Sequence, residues 1–149
     1  MCIRDRRSAE FDVPAAVLYE IIADYDEGHA AIVPPQYFAP LVVKEGGQGA
    51  GTVVEVTAKV LGQQRVMMMT VSEPEPGRVL VEEDAEQGVR TAFTVDPVTA
   101  DRCRLTLTTH GRPVPGLRGL IENRLNPMIM GRVMEAEFVQ INNYLNGKR

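Results

Sequence analysis

The chain has 149 residues, enough for one domain, and a formal net charge of -4. A domain of this size buries roughly 68–70% of the surface its unfolded chain exposes, which allows a full core or a core with a cavity. The acidic balance argues against a nucleic-acid partner, whose footprint is a basic patch; the one basic cluster, Arg4, Arg6 and Arg7, is interrupted by Asp5 and lies at a terminus.

Cys2 and Cys103 show neither metal-ligand spacing nor a disulfide framework, and a reducing cytoplasm is the default for such a chain. No apolar run of export-signal type follows the N-terminal charges, and no window approaches 18 consecutive apolar residues, so no integral membrane association is expected.

Residues 1–6 look like a non-native or disordered extension, leaving a single domain over 7–149. Residues 7–13 read as a short strand. After Asp12, a plausible cap, and Pro14, close to the first helical position, Val17, Leu18, Ile21 and Ile22 share one helical face. Residues 27–33 suit a second short helix, closed by Pro34 and Pro35, which force an extended exit. A strand follows over 37–44. The glycine-rich stretch 45–51 is not G-x-G-x-x-G, and a period-two run over 52–61 follows it where a nucleotide fold needs a helix; it reads as a hairpin connection.

Four more strands are predicted over 65–72, 78–84, 89–96 and 102–110, with short turn-like separators that make neighbours antiparallel. Alternation puts Val54, Val56, Ala58 and Val60 on one face, with Val89, Thr91, Phe93 and Val95, and Cys103, Leu105, Leu107 and Thr109. Residues 111–125 read as a connector with its own short helix over 117–125. Asn126 and Pro127 then open an amphipathic helix running to Asn146 and Gly147, with Met130, Val133, Met134, Phe138, Ile141 and Leu145 at spacings of three and four.

This order, with the early segment 11–25, the segment 29–38 and the tail 126–138, resembles the polyketide cyclase/dehydrase branch of the START-like (SRPBCC, helix-grip) superfamily over residues 7–146. The resemblance implies an α+β helix-grip fold: a curved antiparallel sheet of about seven strands wrapped around a long C-terminal helix, with two short helices after the first strand. The superfamily shares no catalytic motif, so function has to be argued from the site.

Methionine is flexible and polarizable and lines surfaces that accept varied apolar shapes. Met67 and Met69, the inward members of the 67–69 triplet, with Met128, Met130 and Met134, therefore suggest a ligand cavity; a solid Met-rich core is the alternative. Val56, Phe93, Leu107 and Phe138 complete the apolar lining, and Thr91 and Thr109 are its inward polar groups. Through the resemblance, His29 lies near the cavity mouth, where it would bind ligand or exchange protons; a solvated or structural histidine is the alternative. Tyr25, Tyr37 and Phe38 would supply an aromatic wall and a phenol donor there. Arg124 would meet a carboxylate or enolate on the ligand, or stand as an exposed helix arginine.

His110 falls on the solvated face, Cys103 is inert core, and the acidic run Glu82, Glu83, Asp84 and Glu86 reads as a solvated strand end. No metal site, cofactor or nucleophile triad is expected. Three functions remain. The preferred one is binding or carriage of a small hydrophobic molecule such as a lipid, quinone or polyketide-like compound. A cyclase/dehydrase-type enzyme would need an inward ionisable group with a perturbed pKa. A solid-core protein-interaction domain is the third.

Overall fold

The structure, a computed structural model, describes residues 3–60, 62–112 and 116–147, with side chains for 4–59, 62–112 and 127–147. Strand β1 (Ile3–Phe11) leads into helices α1 (Ala15–Ala23) and α2 (Gly28–Ile32). Six strands follow: β2 (Val42–Glu45), β3 (Val53–Val60), β4 (Gln63–Glu75), β5 (Val79–Asp84), β6 (Val89–Thr99) and β7 (Arg102–Gly111). Helix α3 (Gly116–Gly147) ends the described chain. The seven strands form one antiparallel sheet in the order β1-β7-β6-β5-β4-β3-β2. Helix α3 packs against β1 and α2, while α1 lies against β6 and β7.

Alternation in the strands decides which face is covered, because successive side chains point to opposite sides. Val54 and Val56, Met67, Met69 and Val71, Leu80, Phe93 and Val95, and Cys103, Leu105 and Leu107 are buried under the helices. Met68 and Val66, on the other parity of β4, are 43% and 50% exposed. Helix α3 contributes Met134, Phe138, Ile141 and Leu145 to this core, and the Phe138 ring lies 6.1 Å from that of Phe11. Each large apolar side chain so buried stabilises the fold by about 1.5–3 kcal/mol.

Four elements differ from expectation. Strand β1 begins at Ile3 and not at residue 7, with Arg4, Asp5 and Arg6 opposite His110, Thr109 and Thr108. Main-chain pairing does not require an apolar pattern, so this charged edge strand gave no alternation to read. Strand β2 is shorter than 37–44, since Pro40 has no N–H to donate; the stretch before it joins β3 only through the Phe38–Ala58 bridge. Val17 is exposed, and α1 turns Leu18, Tyr19 and Ile22 inward.

The fourth difference is α3, which is continuous from Gly116 and does not start at Asn126. Pro127 sits inside it. A proline within a helix removes one backbone hydrogen bond, and the remainder of the ladder continues on both sides. The side chains of the helix predicted over 117–125 lie outside the described residues, as do Cys2 and Leu61.

The glycine stretch does more than connect β2 to β3. The Tyr25 N–H donates to the Gly47 carbonyl and the Gly49 N–H to the Ala23 carbonyl, each at 2.8 Å. Gly47 has φ 139°, and a Cβ there would collide with the Asp26 carboxylate. From α1, the Tyr19 hydroxyl donates to Glu73 at 2.7 Å, and the other Glu73 oxygen accepts the Ala50 N–H at 3.0 Å. The loop therefore clasps the junction between α1 and α2.

Candidate functional site

That junction positions the polar centre of the molecule. The Asp24 carboxylate accepts the N–H groups of Asp26, Glu27 and Gly28 and the Gln48 side-chain amide, which turns the chain out of α1. Gly28 then passes so close to α1 that a Cβ would stand 2.6 Å from the Ile21 carbonyl oxygen. The His29 N–H donates to the Asp24 carbonyl at 2.7 Å, fixing the next residue. Its ring is 2% exposed, stacked on Tyr25 at 4.2 Å between centroids and met by the edge of Phe93 at 5.4 Å.

The ring's two nitrogens face different partners. Nδ1 lies 2.7 Å from the Ile22 carbonyl oxygen, which only accepts, so Nδ1 carries a proton. Nε2 lies 3.5 Å from Glu82 Oε1. That is an ion-pair distance when the ring is protonated, and it sets the imidazole edge against the carboxyl.

Burial pushes the Glu82 carboxyl up, while the His29 charge and the Tyr25 hydroxyl pull it back. Glu137, on α3, is pushed up to about 8 by burial and then by the charge of Glu82. It is therefore protonated at neutral pH. Glu137 as a residue retains part of its accessible surface. The Tyr25 hydroxyl, raised by burial and by both carboxyls, interacts with the Glu82 carboxyl without reaching the geometry of a well-formed hydrogen bond.

Across the sheet, register places Asp5, Thr109, Thr91, Glu82 and Val71 side by side on five adjacent strands. The two threonine hydroxyls are 3.3 Å apart. This row divides the inner face. On the side of Leu107, Phe93 and Leu80 the sheet is fully buried, whereas Thr91, and Val89 beyond it, keep accessible surface, as does Met130 on α3. The inner face is fully buried at the Phe11–Phe138 end and partly accessible at Thr91, Val89 and Met130, although Asp84, opposite Val89, is buried.

Of the residues singled out from sequence, Tyr25, His29, Val56, Met67, Met69, Phe93, Leu107, Thr109, Met134 and Phe138 are buried beneath the helices, Thr91, Phe38 and Met130 are partly so, and Met128 is exposed, on the outer side of α3 from Met134. Tyr37 stands apart from this cluster, half-buried, its carbonyl accepting the Lys59 N–H. The Arg124 side chain lies outside the described residues. Cys103 is fully buried, and burial raises its thiol.

Two readings are corrected. The run Glu82–Glu86 is not a solvated end throughout: Glu82 is the inward partner of His29, and Asp84 is buried, with its carboxylate accepting the Gln87 and Met68 N–H groups that hold it below the usual range. His110 is partly buried rather than at the surface, and its Nδ1 has no partner among the described residues.

Glu82 and Glu137 were both missed. Strand β5 has apolar residues on both parities, so nothing in its pattern says which face Glu82 takes. Glu137 had a readable signal: it lies three residues after Met134 and four before Ile141, within the apolar stripe.

No protein-family model matches the chain, and no curated protein matches it. Solved structures do. The KanY protein, solved in solution, aligns with a TM-score of 0.83 at 21% identity, over 98% of this chain and 99% of that one. The Zhui aromatase/cyclase from Streptomyces sp. R1128 gives 0.74 at 19%, over 95% and 92%. A START superfamily protein from Mycobacterium smegmatis gives 0.72 at 14%, over 98% and 99%. At these identities the likeness is one of fold, and the chain has the START-like helix-grip fold that its sequence resembled.

Proposed function

We propose that the chain binds a small, largely apolar molecule between the inner face of the sheet and α3, with one polar group of the ligand set against Tyr25, His29, Glu82 and Glu137. The observation that carries this reading is the partial exposure of an apolar inner face at Val89, Thr91 and Met130 beside a cluster of inward polar groups, two carboxyls, an imidazole and a phenol. Ligand sites combine these features: apolar walls supply affinity and a few polar groups fix orientation. The aromatase/cyclase above, and a norcoclaurine synthase from Thalictrum flavum solved in complex with dopamine and hydroxybenzaldehyde, share this fold and support a small-molecule role for it. A cytoplasmic setting belongs to the same proposal and rests on the cysteine usage.

A second reading, acid–base chemistry of the cyclase/dehydrase type, is favoured by one observation. Inward ionisable groups of the kind such an enzyme needs are present, as the buried His29–Glu82 pair and a Glu137 carboxyl raised to about 8. Binding is common to both readings and comes first.

Met67→Trp and Met69→Trp test the space itself. With room in the interior, the larger ring fills it: the variants keep their stability and lose binding of an apolar fluorophore such as anilinonaphthalene sulfonate. A solid core would instead be overpacked, at a cost of roughly 1–3 kcal/mol in urea denaturation. Full fluorophore binding in both variants would sink the proposed lining.

A further inference from the structure

The outer face of the sheet, turned away from the helices, carries its charges unevenly. Near Glu10 and Asp96 they are paired: Arg102 and Arg104 with Glu10, and Arg78 with Asp96. At the other end they are not. Strand alternation gives this face Arg4 and Arg6 of β1, Thr108 and His110 of β7, and Arg90 and Ala92 of β6, since Asp5, Thr109 and Thr91 take the inner one. Asp5 therefore interrupts the basic cluster in sequence but not on the surface. Register sets Arg4, His110 and Arg90 in one row and Arg6, Thr108 and Ala92 in the next. Such neighbours stand about 4.5–5.5 Å apart at Cβ, and diagonal ones remain within reach of long side chains.

Among the described residues no carboxylate pairs with Arg4, Arg6 or Arg90; Glu83 lies opposite Arg90 on β5, and the two form no ion pair. His110 supplies a further donor. Its Nδ1 is shut off from solvent and has no partner among the described residues. A proton there would be an orphaned donor, rarer in native folds than an unfilled lone pair, so in the neutral ring the proton belongs on Nε2. Nε2 is also the nitrogen left to meet a ligand, since the residue keeps part of its accessible surface. Beside this row the floor is low, because Thr108 and Ala92 put only a short hydroxyl and a methyl between Arg6 and Val81.

We infer that Arg4, Arg6, Arg90, Thr108 and His110 bind a phosphate monoester group, on the opposite side of the sheet from the apolar site and independently of it. Such a group presents three acceptor oxygens and close to two negative charges, which suits several donors reaching it from both flanks, and guanidinium forks take its oxygens two at a time. A carboxylate has two oxygens and one charge, and leaves donors unfilled.

The test titrates methyl phosphate and acetate into the full chain at constant ionic strength, reading the His110 imidazole and arginine side-chain resonances. Sedimentation with vesicles of phosphatidic acid in phosphatidylcholine runs beside it. Methyl phosphate should saturate, move the His110 and Arg90 signals, and bind roughly tenfold tighter than acetate, the worth of one further charge-assisted hydrogen bond. Arg4→Gln and Arg90→Gln should each weaken it by roughly the same factor. Arg104→Gln removes the same charge from the paired end and should change nothing. Equal losses from Arg104→Gln and Arg90→Gln would reduce the effect to net charge and overturn the inference, as would acetate binding as tightly as methyl phosphate, or a titration that never saturates. Where the inference holds, binding of the vesicles as well assigns the phosphate to a lipid headgroup, and methyl phosphate alone assigns it to a soluble ester. Vesicle binding without methyl phosphate binding would show a diffuse attraction and overturn the site.

Discussion

Glu137 is a carboxyl in the middle of the apolar stripe of α3, and its environment sets a sign for the pH dependence of stability. Its folded-state pKa of about 8 stands above the ordinary 4.5, so the native state keeps a proton that the unfolded chain releases between these values. Its contribution is complete below the unfolded value and is lost as the pH rises through 8. At about 1.4 kcal/mol per unit, the loss amounts to a few kcal/mol. Glu137→Gln should therefore raise the urea midpoint at pH 8 and leave it nearly unchanged at pH 4; a gain of equal size at both would mean that the carboxyl is not held neutral by burial. The His29–Glu82 pair makes a different demand. His29→Leu alone strands a buried acid and should cost about 3–5 kcal/mol, whereas adding Glu82→Leu should recover much of that. Strictly additive losses would show that the two groups do not interact. At this scale the sequence was half legible. The charge at position 137 interrupts a helical stripe and was visible, while Glu82 lies in a strand whose two parities are both apolar and only packing assigns its side.

Among elements, the turn between α1 and α2 controls the site. Gly28 has no unusual φ; what it supplies is room, since any Cβ would push against the Ile21 carbonyl, which is backbone and cannot swing away. Gly28→Ala should force α2 outward, cost roughly 1–3 kcal/mol and move the His29 ring away from Glu82, a change visible in the imidazole nitrogen shifts. An unchanged His29 spectrum would show that α2 is not held by this contact. The prolines and glycines that mark these turns were readable, as was the inward parity of the central strands, because alternation is a direct consequence of strand geometry. Two boundaries were not. Charged β1 pairs through its backbone, and Pro127, a strong helix-start signal after an asparagine, is carried inside α3 because helix continues on both sides of it.

For the molecule as a whole, the order of elements was sufficient to identify the architecture: one strand, two short helices, six strands and a long helix close into the helix-grip fold. Its inner face is fully buried around Phe11 and Phe138, while at the other end Thr91, Val89 and Met130 keep accessible surface beside the polar cluster. The polar cluster was not legible from pattern, since it draws one residue each from β5 and α3 and two from the α1–α2 junction, and only the folded register brings them together. The claim that this partly accessible end holds a small apolar molecule is tested most directly by native mass spectrometry of the purified chain, with solvent extraction of whatever accompanies it. A discrete adduct of small-molecule mass, released into organic solvent and displaced from Met69→Trp, is the result the account requires. A bare spectrum, unchanged after incubation with fatty acids, quinones and aromatic polyketides, would contradict it.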